Sequence, residues 1–74
     1  MKVIKASELR VGDIFTKEIK LIGREAFQVI DPRLGKDYMA VKSRTTYEQK
    51  KLMIQPDENV YFLRHEDISE QIVK

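Results

Sequence analysis

No stretch of this chain keeps an apolar period long enough for a substantial helix. What recurs instead is a cadence of short β-type runs broken by turn signals. The runs are Val3-Ile4, Ile14-Phe15-Thr16-Lys17, Glu25-Ala26-Phe27-Gln28-Val29-Ile30, Tyr38-Met39-Ala40-Val41-Lys42-Ser43-Arg44, Lys51-Leu52-Met53-Ile54-Gln55 and Val60-Tyr61-Phe62-Leu63. Between them stand Gly12-Asp13, Gly23, Asp31-Pro32 with Gly35, and Pro56-Asp57-Glu58-Asn59, residues that preset φ, tolerate positive φ or bond their own backbone. Short strands at spacings of about ten residues predict an all-β domain, a barrel or a sandwich. At 74 residues a small five-stranded barrel is favoured, because closing the sheet removes the edges that a short open sheet exposes.

The opening corner, Ala6-Ser7-Glu8-Leu9-Arg10-Val11-Gly12-Asp13, launches the first long strand. Ser7 and Asp13 are expected to bond nearby backbone N–H groups and Gly12 to supply a positive φ, with Leu9 and Val11 capping one end of the core. The strand from Ile14 is expected to run on through Ile19 and Leu21, turn at Gly23 and return as 25–30, a hairpin with Phe27 and Val29 on one face. Alternation along 38–44 sets Met39, Val41 and Ser43 against Tyr38, Ala40, Lys42 and Arg44: one apolar face and one basic face. Phe27, Val29, Val41, Ile54 and Phe62 are the predicted core, and Met39, Met53, Tyr38 and Tyr61 are read as core or rim.

A chain of this length is one domain with a marginal core. Its 42% apolar and 35% charged residues argue against wholesale disorder. With no cysteine, neither disulfides nor thiolate metal sites can supplement packing. The expected division is residues 1–64 as the barrel and 65–74 as an acidic tail, frayed in preference to a short docked helix although Ile68 and Ile72 have helical spacing. Apolar runs far shorter than a membrane span, and an N-terminus unlike a signal peptide, point to a cytoplasmic address and no membrane partner.

Net charge is +2, unevenly spread: six basic against three acidic groups over residues 1–24, six against four over 25–55, and two against five over 56–74. A basic body with an acidic end hints at an anionic partner. The cations most worth following are Lys42 and Arg44 on one strand face, with Tyr47, Lys50 and Lys51 in or just beyond the following loop. Such a set can neutralise phosphates and stack a base, although a solvated charged face explains the same residues. Lys36, in the loop after Gly35, is a candidate contact to a phosphate or a partner; no Walker pattern accompanies it.

Catalysis has little foothold. His65 is the single histidine and reads as a polar strand end rather than a metal ligand, since Glu66 and Asp67 alone do not complete a coordination sphere. The carboxylate pairs Asp13 with Glu18 and Glu66 with Asp67 are explained by turns and solvated faces. No catalytic residue, metal or cofactor is assigned.

Ser7-Glu8-Leu9-Arg10-Val11-Gly12 followed by a hairpin, and then Gly35-Lys36-Asp37-Tyr38-Met39-Ala40-Val41-Lys42, resemble the KOW-like, SH3-like barrel that opens elongation factor P and its relatives. In that family a short turn ending in glycine precedes the first strand, and a Gly-Lys-Gly loop precedes an alternating one; here Asp37 stands in place of the second glycine. The resemblance implies a small barrel that binds RNA or protein, with Lys36 at the contacting loop. The sequence reading is therefore a non-catalytic binding module whose partner is RNA or single-stranded DNA. The alternative is an assembly subunit that joins another protein through a strand edge or the tail.

Overall fold

A computed structural model describes residues 2–17, 25–32 and 37–67. The strands are β1 (Lys2–Lys5), β2 (Asp13–Thr16), β3 (Ala26–Asp31), β4 (Tyr38–Ser43), β5 (Gln49–Met53) and β6 (Asn59–His65), and a short 3-10 turn covers Ala6–Glu8. They form a single antiparallel sheet in the order β1-β6-β2-β3-β4-β5. Among the described residues six strands stand where five were expected, because the opening Val3-Ile4 segment is a full member of the sheet, paired with β6 from Lys2↔Phe62 to Lys5↔Asn59. β5 begins at Gln49, two residues earlier than read from the sequence, and β6 extends through His65. The expected continuation through Ile19 and Leu21, the Gly23 turn, the loop residues Arg33 to Lys36 and the tail beyond Asp67 lie outside the described residues.

The corner forms by local bonding. The Lys5 N–H donates to Glu8 Oε1 at 3.0 Å and the Leu9 N–H to Ala6 O at 3.1 Å, so Glu8 supplies the side-chain acceptor at the start of this corner. The Ala6 and Ser7 N–H groups donate to Glu58 O and Pro56 O, fastening the corner to the turn before β6. Arg10 and Asp13 then bond reciprocally: Asp13 N–H to Arg10 O at 3.0 Å, and Arg10 N–H to Asp13 Oδ2 at 2.9 Å. This turn needs Gly12, whose φ is +97°. Leu9 is buried as expected, whereas Val11, in the middle of the same turn, is exposed.

Two register shifts bend the sheet, one in β2 between Ile14 and Phe15 against β6 and one in β3 between Val29 and Asp31 against β4. The bending brings both edges toward one core. Phe15, Phe27, Val29, Met39, Val41 and Val60 are buried together with Ala6 and Leu9 from the corner after β1 and Ile54 from the segment after β5. Ile4 of β1 and Leu52 of β5 pack against the same cluster. Phe15 and Phe27, cross-strand partners, hold their rings 5.8 Å apart in a tilted arrangement.

Four of the five expected core residues are buried. Phe62 is half-buried and lies outside the cluster: opposite Lys2 at the end of β1, it lines an open cleft. The other face of the sheet is also covered at its centre, since Ile14 and Gln28, cross-strand partners pointing away from the core, are buried. Gln28 Nε2 donates to Gly12 O (3.3 Å) and Glu66 O (3.1 Å), and its Oε1 accepts from Arg44 Nη1 (3.4 Å), so a fully buried amide has its polar atoms engaged.

Candidate nucleic-acid interface

The β4–β5 hairpin builds the surface on which most of the candidate residues fall. Along β4 the inward side chains are Met39, Val41 and Ser43, all buried, so Tyr38, Ala40 and Lys42 face outward, as alternation requires. Register sets the neighbours on β5: Tyr38 opposite Met53, Ala40 opposite Lys51, and Lys42 opposite Gln49. These six residues share one face.

On that face each lysine lies near a tyrosine ring. Lys51 Nζ is 5.2 Å from the Tyr38 ring centroid and Lys42 Nζ is 6.0 Å from that of Tyr47, within the range of cation–π attraction. Among the described residues no carboxylate pairs with either lysine. Met53, 63% exposed, lies beside Tyr38 and adds apolar surface.

Tyr47 sits in a tightly bonded turn. The buried Ser43 hydroxyl accepts the N–H groups of Thr45 (3.2 Å) and Thr46 (3.3 Å) and donates to Glu25 Oε2 at 2.8 Å. Ser43 O accepts the Tyr47 N–H and the Ser43 N–H donates to Glu48 O, both at 2.9 Å. The result is a tyrosine at φ +63°, in the left-handed region that bulky residues seldom occupy, with 65% of its surface exposed. Its ring is not buried in the core, so hydrophobic packing does not explain why tyrosine occupies this position.

Two members of the sequence-predicted set are placed elsewhere. Lys50 is opposite Val41 and so belongs to the inward side; its Nζ lies 5.0 Å from the Phe27 centroid and 3.7 Å from Glu25 Oε1. The strand there begins at Gln49, and the alternation that turns Lys51 outward turns Lys50 the other way. Arg44, just past β4, reaches Glu66 Oε1 at 3.5 Å as well as Gln28, and is committed to holding the end of β6 against β3. Lys36 lies outside the described residues.

Tyr38 and Met53 are the members the sequence reading had assigned to core or rim. The alternation that turned Lys42 outward already carried Tyr38, while Met53 required the β4–β5 register.

His65 ends β6 with its Nδ1 2.7 Å from Oδ1 of Asp13, whose carboxylate also caps the Arg10 N–H. That carboxylate is buried and its two oxygens are engaged, which makes Asp13 a keystone of the corner. Among the described residues no group of three or more His, Cys, Asp or Glu side chains gathers to hold a metal ion, and no helix is long and apolar enough to cross a membrane.

The fold and this surface define a small all-β domain presenting two lysine–tyrosine pairs on the outer face of an edge hairpin. Comparison with protein-family models, curated proteins and solved structures finds no match.

Proposed function

We propose that this protein is a cytoplasmic, non-catalytic binding module that takes single-stranded nucleic acid, RNA or DNA, on the outer face of β4 and β5. The observation that carries the reading is Tyr47, an exposed aromatic held at positive φ by a fully bonded turn, with an ammonium 6.0 Å from its ring and a second lysine–tyrosine pair on the same hairpin. The turn requires the positive φ, which glycine would meet without strain, so a bulky tyrosine with an unburied ring is a cost that folding does not require.

The chemistry follows from what each group offers. A tyrosine face stacks any base, and a lysine without a carboxylate partner meets any phosphate. In the free protein each ammonium rests near a ring; a strand exchanges the partners, drawing the ammonium to a phosphate while a base takes the ring. Affinity without sequence preference is the expected consequence, because neither contact reads a base edge.

The overall shape fits this role. Both edge strands pack residues on one core, which supports the sheet being rolled into a small, partly open SH3-like barrel of the kind that opens elongation factor P and its relatives, with β1 and β5 left as edges.

The test is an NMR titration with mixed-sequence single-stranded RNA and DNA at low salt. Amide shifts should concentrate in residues 38–53, with Tyr38 and Tyr47 ring protons moving upfield. Unmoved signals in that range with both strands would sink the proposal.

A further inference from the structure

On the side of the sheet remote from β4 and β5, we infer that β1 is a docking edge for an extended acidic peptide segment of another protein, added as a seventh strand. Among the described residues β1 makes its ladder bonds to β6 alone, so its outer backbone N–H and C=O groups are available to an incoming strand. Beside it opens a cleft of about 400 Å³ lined by Val3, Ile4 and Phe62, by the cations Lys2 and Arg10, and by the carboxylates Glu8 and Asp13. Phe62 gives this cavity an aromatic floor because it stands outside the core cluster. Val3, 54% exposed on the opposite face of the same strand, offers an apolar neighbour to the alternate side chains of an added strand.

Charge selects the occupant. Three exposed cations, Lys2, Lys5 and Arg10, stand here against two carboxylates, of which Asp13 is buried and bonded to the Arg10 N–H and His65, while Glu8 takes the Lys5 N–H. Lys5 donates to Asp57 O. Lys2 and the Arg10 guanidinium, whose side chain is 75% exposed and only 3.9 Å at nearest from Asp13 Oδ1, are left facing the cleft. A second copy is disfavoured as occupant, because antiparallel self-pairing of Lys2–Lys5 sets Lys2 opposite Lys5 on both sides of the dyad. A nucleic acid would leave the strand's hydrogen-bonding groups and the apolar floor unused. A strand with an apolar residue between two carboxylates uses all three features: ladder bonds, floor and cationic rim.

The inference stands on a different surface from the nucleic-acid reading and can fail or hold independently. The probes are the capped peptide GSEVFVESG and its lysine counterpart GSKVFVKSG, titrated into the whole 15N-labelled chain. The glutamate peptide should shift the amides of Lys2 to Lys5 and Phe62 and leave β4 and β5 unmoved, with the lysine peptide at least about tenfold weaker, a difference of about 1.4 kcal/mol. The double variant Lys2→Glu with Arg10→Glu, both exposed side chains, should reverse that preference while keeping a dispersed spectrum. Equal binding of the two peptides, no shift at β1, or a preference unchanged by the double variant would overturn the inference. So would sedimentation showing a dimer whose interface maps to β1.

Discussion

A β-carbon added at Gly12 would lie 2.5 Å from Glu66 O and 2.9 Å from His65 Cε1, in a residue whose φ is +97°. Gly12 O also accepts the Glu66 N–H and the Gln28 amide, so the close approach cannot relax without breaking the polar cluster that closes β6 over β2. Gly12→Ala is therefore expected to cost at least about 1–3 kcal/mol from backbone strain alone, read as a lower urea midpoint with unchanged slope. A variant as stable as the parent would mean that the turn has another conformation. Tyr47 poses the opposite case, since its positive φ supports an exposed ring rather than a close approach. Glycine there removes the steric penalty and loses only an exposed cation–π contact, each about 1 kcal/mol. Tyr47→Gly should leave stability unchanged or slightly raised while weakening single-strand binding by roughly 1–3 kcal/mol. Loss of stability instead would give the tyrosine a structural role.

At the scale of elements, β3 joins the two halves of the sheet, and Phe27 is an apolar anchor of it, packed on Phe15 and under the Lys50 ammonium. Phe27→Ala should cost about 3–5 kcal/mol, enough to unfold a large fraction of a domain this small, and circular dichroism melting will show it. Ser43→Ala tests the following turn: Thr45, Thr46 and Glu25 all lose a partner, for a penalty of about 1–2 kcal/mol read by urea unfolding, while the backbone bonds of residue 43 to Tyr47 and Glu48 remain and binding should change little. These elements were largely legible in the chain. Alternation along 38–43 assigned each side chain of β4 to its face, and Gly12 with Asp13 announced the corner. What sequence could not supply was pairing register. Lys50 and Lys51 look interchangeable until Val41↔Lys50 sends one inward, and Arg44 looks free until the end of β6 brings Glu66 to it. Phe62 has the composition of a core residue; only its position opposite Lys2 shows that it borders a cleft.

Across the whole molecule, a net charge of +2 says little about affinity for a polyanion, because most of the basic excess of the first 55 residues is offset by the acidic end. What matters is which cations are left without carboxylates. Among the described residues Lys17 is 3.2 Å from Glu58, Arg44 3.5 Å and Arg64 2.6 Å from Glu66, and Lys50 3.7 Å from Glu25, so these four cations are balanced within the fold. Lys42 and Lys51 rest instead near tyrosine rings on the outer face of the hairpin. Counterion release converts this difference into a measurable slope, since each phosphate neutralised on a single strand contributes about 0.7 to the decline of log K with log salt. Lys42→Ala and Lys51→Ala should each flatten the slope by about that amount, whatever the sequence of the strand. Arg44→Ala and Lys50→Ala should leave it nearly unchanged, because a phosphate drawn to either would have to displace a carboxylate already in place. Fluorescence anisotropy with a labelled mixed-sequence oligonucleotide, run from low to physiological salt for the four variants, separates the two pairs. Equal flattening by all four would make the interface a diffuse basic surface, and a larger effect from Arg44 and Lys50 would move it off the hairpin's outer face.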